Sequence, residues 1–182
     1  MSLKELTHEA HKNAERQQFV KTLMSGSIDP LLYARYLKNQ HPMYELLEVF
    51  SMMHGLLDGL PDMRRAKLIH EDYMELWGDN PPPELCPVVK QYLDHIMSIK
   101  DDPKKLMAHL YVRHMGDLAG GQMIARRVPG AGKMYQFANP EELKTAIRSR
   151  ISDDMAEEAV ICFDFATQLF REMQVFVHEE KR

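Results

Sequence analysis

Apolar residues recur at helical spacing along almost the whole chain. In one stretch Leu106, Leu110, Met115, Leu118 and Met123 follow one another three to five positions apart, which is typical of one face of an amphipathic helix. Alternating apolar and polar positions, which would predict a strand, do not extend over any long run. The pattern therefore predicts an all-α fold.

Capping and breaking residues divide this pattern into helices. Ser2 and Glu5 form a capping box, which predicts a first helix running to about Met24. Asp29 and Pro30 begin a second helical stretch that runs to about residue 57, and Pro42 should kink or divide it. The same signals predict further helices at 62–77, at 87–100, from 103 to about 128, from 140 onward, and from a break at 153–154 to about 178.

Composition indicates an ordinary globular protein, with a single domain over residues 1–182. The chain is 45% hydrophobic and 27% charged, and its net charge of -4 gives no reason to expect nucleic acid as a partner. We find no signal peptide and no apolar run long enough for a membrane anchor. Cys86 and Cys162 lack metal-site spacing, so the expected location is the reducing cytoplasm. The fourteen methionines either fill the core or line a site for a large flat ligand.

The segment "MGDLAGGQMIARR" places Gly116, Gly120 and Gly121 inside a predicted helix. Each glycine costs about 1 kcal/mol of helix stability relative to alanine. Either two helices pack closely there, or the backbone approaches a flat ligand. Asp117 likewise allows two interpretations: a surface ion pair with Arg113, four positions earlier, or a carboxylate that holds a water beside a site without bulky groups.

Two histidines, His8 and His11, lie on the predicted first helix. Such histidines are usually polar-face residues, although histidine is also the commonest metal ligand. Lys4 and His11 are two turns apart on nearly one face, a separation of about 10 Å, which is about the span from a porphyrin centre to a propionate. A carboxylate-bridged di-iron site is disfavoured, because Glu5 and His8 form the only Glu-x-x-His motif.

Three stretches together carry a family resemblance: "AHKNAE" at 10–15, "LYVRHMGDLAGGQ" at 110–122 and "LKTAIRSRI" at 143–151. With these motifs the chain resembles a haem oxygenase over nearly its whole length. The resemblance implies a multi-helix fold in which haem, both cofactor and substrate, lies between a proximal and a distal helix.

The resemblance also assigns roles to individual residues. It implies that His11 is the proximal iron ligand and that Gly116, Gly120 and Gly121 press against the distal haem face. It implies that Asp117 orders a water near bound oxygen, within a hydrogen-bond network that includes Arg113. The groups expected around the haem propionates are Lys4, Tyr111, Lys144 and Arg148.

The activity implied is oxidative cleavage of haem to biliverdin, ferrous iron and carbon monoxide, using O2 and electrons from outside. No nucleotide-binding glycine motif or cysteine cluster is present, so the family implies ferredoxin or another external reductase as donor. Basic residues among Lys4, Arg126, Arg127, Lys144 and Arg148 would suit an acidic donor. We expect a microbial or viral type, in the cytoplasm or the host cytoplasm. A non-catalytic haem carrier or sensor, and a haem-free enzyme of the same fold, are the alternatives.

The chain departs from the family pattern at three points. Ala119 replaces a common serine, and His114 stands where relatives often have an aromatic or apolar residue. His114 either points away from the haem or joins the water network. No tyrosine occurs at residues 48–56, the region expected to support the distal water, which leaves His54 or Met52 to face the pocket.

Overall fold

The structure is a computed structural model that describes residues 1–180, with side chains described to residue 178. Every regular element in that range is helical, which confirms the all-α prediction for the described residues. The α-helices are α1 (Leu3–Leu6), α2 (His8–Glu15), α3 (Gln18–Met24), α4 (Pro30–Met53), α5 (Ala66–Trp77), α6 (Pro87–Ser98), α7 (Pro103–Leu110), α8 (Gly116–Leu118), α9 (Gly121–Ala125), α10 (Pro140–Arg148) and α11 (Ala156–Glu180). A π-helical turn covers Tyr111–Met115, and 3₁₀ turns cover Pro61–Met63, Lys133–Tyr135 and Asp153–Met155.

Helix α4 lies at the centre and packs against α5, α6 and α7. Its buried face includes Tyr33, Leu37 and Leu47. Pro42 does not divide it, because the helix runs unbroken from Pro30 to Met53. An internal proline costs about 3 kcal/mol, since it removes an N–H donor and crowds the preceding turn. Burial of α4 against three helices offsets that cost.

Helix α11 holds the N-terminal helices against the rest of the molecule. It packs against α2 and α3 on one side and against α6 and α7 on the other. Buried side chains of α11, among them Ala159, Leu169 and Met173, join the same hydrophobic cluster as those of α4. The helix that carries His11 is therefore anchored by α11.

The predicted single helix from Ser2 to Met24 is wrong in one respect, because the structure divides it into α1, α2 and α3. The Thr7 hydroxyl donates to the Leu3 carbonyl at 2.9 Å, and Thr7 leaves the helical conformation. Local hydrogen bonds of this kind compete with a regular helix. A second break follows at Gln17, whose backbone is extended.

The predicted continuous helix from residue 103 to about 128 is also interrupted. The π turn Tyr111–Met115 separates α7 from α8, and Ala119, with φ -109° and ψ -93°, separates α8 from α9. Glycine weakens the helix here, so other contacts decide the path of the backbone. We call residues 111–125 the distal segment. Within residues 1–180, no helix is both long enough and apolar enough to cross a bilayer.

Candidate functional site

The three glycines of the distal segment have different surroundings. A Cβ atom built on Gly116 or Gly120 meets nothing within 4 Å, so bare backbone borders open space at both positions. A Cβ on buried Gly121 would lie 2.9 Å from the Tyr135 ring and 3.1 Å from the Gly116 carbonyl oxygen. Close packing therefore accounts for Gly121, whereas no contact among the described residues requires glycine at Gly116 and Gly120.

The interrupted backbone of the distal segment is held by a side chain that the sequence did not single out. The Gln122 amide donates to the carbonyl oxygen of Asp117 at 3.0 Å and to that of Tyr135 at 2.8 Å. These bonds occupy a carbonyl at the break and tie the segment to the 3₁₀ turn Lys133–Tyr135. The π turn beside it is a feature often found at functional sites.

Asp117 lies beneath this open surface and is only 7% exposed. Burial raises the pKa of Asp117 to about 7, while His114, a hydrogen bond from Tyr44, Arg65 and Arg113 act in the opposite direction. The Tyr44 hydroxyl donates to Asp117 Oδ2 at 2.8 Å. A carboxyl group with a pKa near 7 is suited to accept and release a proton at neutral pH.

Tyr44 corrects the prediction that no tyrosine supports this site. The expectation was limited to residues 48–56, but Tyr44 reaches Asp117 from one helical turn earlier on α4. His54 is exposed and bonds to the Lys100 carbonyl at 2.7 Å, and the Met52 sulfur accepts a bond from Arg64. His54 and Met52 therefore have other partners, and Tyr44 supports the carboxylate.

Arg113 is buried but does not form the predicted ion pair with Asp117. Its Nε donates to the Tyr92 hydroxyl at 3.0 Å, and its guanidinium lies 4.2 Å from the Tyr92 ring centroid. In a regular α-helix, residues four apart lie on one face, but the π turn Tyr111–Met115 shifts this spacing. Arg113 therefore contacts Tyr92 on α6 instead of Asp117. Its charge still lowers the pKa of Asp117, so it remains part of the surroundings of that carboxylate.

His114 is fully buried beside this group, with its ring centroid 5.2 Å from that of Tyr44. Its Nε2 lies 2.8 Å from Glu48 Oε2, and its Nδ1 has no hydrogen-bond partner among the residues that the structure describes. Glu48 also accepts backbone N–H bonds from Arg65 at 2.7 Å and Ala66 at 3.1 Å. His114 therefore bonds to Glu48 and acts on the pKa of Asp117 through its charge, while its membership in a water network stays a prediction.

His11 lies on α2 with its side chain 53% exposed. Its ring stacks on Phe163 of α11, with centroids 5.1 Å apart and planes 18° apart. Glu15 lies 2.9 Å from His11 Nε2 and so engages one ring nitrogen. Metal-ligating histidines commonly bond a carboxylate through the second ring nitrogen. The ring is accessible and oriented by Phe163, but Nε2 would have to exchange its contact with Glu15 for the iron, and the role of axial ligand stays a prediction.

The groups expected near propionates lie on α1, on the π turn and on α10. Burial raises the pKa of Tyr111, and the side chain of Thr7, at the junction of α1 and α2, partly offsets the rise. Helix α10, which carries Lys144 and Arg148, packs against the same π turn. Lys4 and Arg148 are exposed, and Lys144 Nζ lies 3.3 Å from Glu141. A shared anionic ligand for these groups remains a prediction.

Comparison with known proteins agrees with the resemblance that the motifs carry. A family model described as "Heme oxygenase" matches residues 1–175. The protein "Heme oxygenase 2" of Macaca fascicularis is 29% identical over 205 residues, covering 94% of this chain and 64% of the relative. "Heme oxygenase" of Guillardia theta is 27% identical and covers 96% of this chain and 86% of the relative. The chain thus spans less than two thirds of the mammalian relative.

Solved structures agree in fold. A heme oxygenase from Leptospira interrogans superposes with a TM-score of 0.82 at 26% identity, covering 94% of this chain and all of that one. Heme oxygenase-1 from Synechocystis sp. PCC 6803, solved in complex with heme, gives a TM-score of 0.84 at 23% identity and covers 98% and 93% of the two chains. The helices described here therefore have the arrangement seen in those proteins.

Proposed function

Since the chain belongs to the heme oxygenase family, we propose that it binds haem and cleaves it with O2 and externally supplied electrons. The products would be biliverdin, ferrous iron and carbon monoxide. The observation that carries the proposal is the combination in one distal segment of bare backbone at Gly116 and Gly120 with the buried Asp117–Tyr44 pair. A carrier would need the histidine but not this arrangement.

Haem would be held by residues from three parts of the chain. His11 would ligate the iron through Nε2 in place of its contact with Glu15, with Phe163 fixing the orientation of its ring. The propionates would meet Lys4, Tyr111, Lys144 and Arg148, since cationic and hydroxyl groups bind carboxylates. When bound, haem supplies both the iron that activates O2 and the porphyrin ring that is cleaved.

The residues of the distal segment would leave room for the haem face and exchange protons with a nearby water. Glycine at Gly116 and Gly120 lets the backbone approach a planar ligand and keeps acidic side chains away from its face. Asp117 would hold a water and exchange protons with it, supported by the Tyr44 hydroxyl. The charge of His114, which bonds to Glu48, lowers the pKa of Asp117 and would favour the ionised carboxylate.

Electrons would arrive from a ferredoxin or another reductase. Arg126 and Arg127 are exposed at the end of α9, close in sequence to the glycines, and are suited to contact an acidic donor. Lys4, Lys144 and Arg148 would extend such a basic face.

A hemin titration followed by reduction in air tests this function. We expect a Soret band, then its loss and the broad red absorption of a bilin. His11→Ala should abolish the histidine-ligated spectrum, whereas His8→Ala, on the same helix, should not. A Soret band that survives turnover conditions would instead support the carrier. Absence of any Soret band in the wild type would overturn haem binding itself.

A further inference from the structure

A second cluster of ligand-type side chains lies outside the proposed haem site. His95 on α6, His109 on α7 and Glu158 on α11 bring two imidazole nitrogens and a carboxylate oxygen within 4.8 Å of one another. His109 and Glu158 are buried, and the His95 side chain is 22% exposed. The cluster therefore joins three helices and has one edge open toward solvent.

Both histidines face the same carboxylate oxygen of Glu158. His95 Nε2 lies 2.5 Å and His109 Nε2 lies 2.8 Å from the same Glu158 oxygen, Oε1. A buried carboxylate requires a cation or strong hydrogen-bond donors close by. Among the described residues, the ion-pair partners of Glu158 are these two histidines alone, and each is charged only when protonated. A divalent cation held by these three groups would balance the charge of Glu158 in place of a protonated imidazole.

From this geometry we propose that His95, His109 and Glu158 form a Zn²⁺ site. Two imidazole nitrogens and one carboxylate oxygen are a ligand set that zinc uses, with the fourth position left for water. Zinc–ligand bonds of about 2.0–2.1 Å place ligand atoms about 3.3 Å apart. The present nitrogen–oxygen separations would thus have to open by less than about 1 Å. The exposed edge at His95 provides both the route of entry and the position for water.

The surroundings of His109 also suit a metal ligand. Its second ring nitrogen, Nδ1, lies 2.7 Å from the Tyr92 hydroxyl, which accepts a hydrogen bond from Arg113 Nε at 3.0 Å. With zinc on Nε2, the His109 proton would reside on Nδ1 and be donated to Tyr92. The Tyr92 hydroxyl oxygen would then accept hydrogen bonds from both His109 Nδ1 and Arg113 Nε. These two donors would keep a partner in the metal-bound state.

The proposal is independent of haem binding, because His11 takes no part in the cluster. Titration of the full-length, haem-free protein with ZnCl2, followed by calorimetry, should show one equivalent bound. The haem-loaded protein should bind the same amount. CoCl2 should occupy the same site and show the visible bands of a site with four or five ligands.

Substitutions distinguish a zinc-binding cluster from one that is held only by hydrogen bonds. Glu158→Gln keeps an oxygen that can accept from both histidines but removes the anionic ligand, so folding should persist while zinc affinity falls about 100-fold or more. His95→Gln, at the exposed edge, should have the same effect. His178→Gln, on exposed α11 surface, is the matched control and should leave zinc affinity unchanged. Circular dichroism checks that each variant is folded.

Two results would overturn the proposal. One is failure of the wild-type protein to bind a saturable equivalent of Zn²⁺ or Co²⁺. The other is binding that persists in both Glu158→Gln and His95→Gln, or that is lost in His11→Ala. Failure to bind metal would mean that a protonated imidazole is the counter-charge of Glu158. Binding that does not depend on Glu158 and His95, or that depends on His11, would place the metal at another site.

Discussion

At the residue scale, single atoms distinguish glycines that look alike in the sequence. A Cβ atom has open space at Gly116 and Gly120 but meets the Tyr135 ring at Gly121. Asp117 and Asp164 likewise share one side-chain chemistry, but Asp164 is exposed whereas Asp117 is buried, and burial raises the pKa of Asp117 to about 7. Position in the fold therefore decides the role of each residue.

Alanine at Gly121 and at Gly116 should have opposite effects. Gly121→Ala should destabilise the protein by roughly 1–3 kcal/mol, because its Cβ crowds Tyr135 and the Gly116 carbonyl. Gly116→Ala should leave stability unchanged or raise it by up to about 1 kcal/mol, because alanine favours the helix, while weakening haem binding. Urea unfolding of the haem-free proteins measures the first effect and hemin titration the second. Equal loss of stability in both variants would contradict this distinction.

The raised pKa of Asp117 predicts a pH-dependent stability difference. The unfolded carboxyl ionises near 3.8 and the folded one near 7, so the folded state binds more protons between these values and loses stability as pH rises through them. The Asp117→Asn variant has no carboxyl at this position and should not lose this stability. In the haem-free proteins, its free energy of unfolding relative to that of the wild type should therefore rise by about 2–4 kcal/mol between pH 4.5 and pH 8.

Chemical unfolding at both pH values measures this change. Asp164→Asn, at an exposed position on α11, is the control and should show no such trend. A stability difference between Asp117→Asn and wild type that stays constant from pH 4.5 to pH 8 would show that the buried carboxyl titrates normally.

At the element scale, the distal segment is not the uniform helix that its apolar periodicity predicts. The π turn Tyr111–Met115 and the break at Ala119 turn Arg113 toward Tyr92 and leave backbone exposed at Gly116 and Gly120. Periodicity reports which face is buried but not local changes of register. The Gln122 amide then holds the interrupted backbone in place.

Gln122→Ala should therefore loosen the distal segment. Two hydrogen bonds to carbonyl groups would be lost, at a cost of about 1–3 kcal/mol, and amide hydrogen exchange should accelerate around residues 117–122. Gln168→Ala, where the amide bonds only to Glu172 on one exposed helical face, is the control. Unchanged exchange in Gln122→Ala would show that other contacts hold the segment.

At the scale of the whole molecule, α4 and α11 bring distant parts of the sequence together. Tyr44 of α4 reaches Asp117, and Phe163 of α11 supports His11. Helix α3 also contacts α9, which places the end of the N-terminal helices beside the glycine region. The proposed ligand helix thus packs on α11, and the distal segment is held by α11 at its π turn and by α4 through Tyr44.

The sequence by itself determined the helical class and the outer limits of most helical stretches, because periodicity and caps are local properties. Its motifs also single out His11, Gly116, Asp117 and Gly120, whose roles stay predictions. Only the tertiary structure decided that Tyr44 supports Asp117, that Arg113 bonds to Tyr92, and that Gly121 serves packing. The cluster of His95, His109 and Glu158 was equally invisible, since its members come from three helices. Contacts between residues far apart in sequence, and the burial that shifts a pKa, arise only when the helices pack.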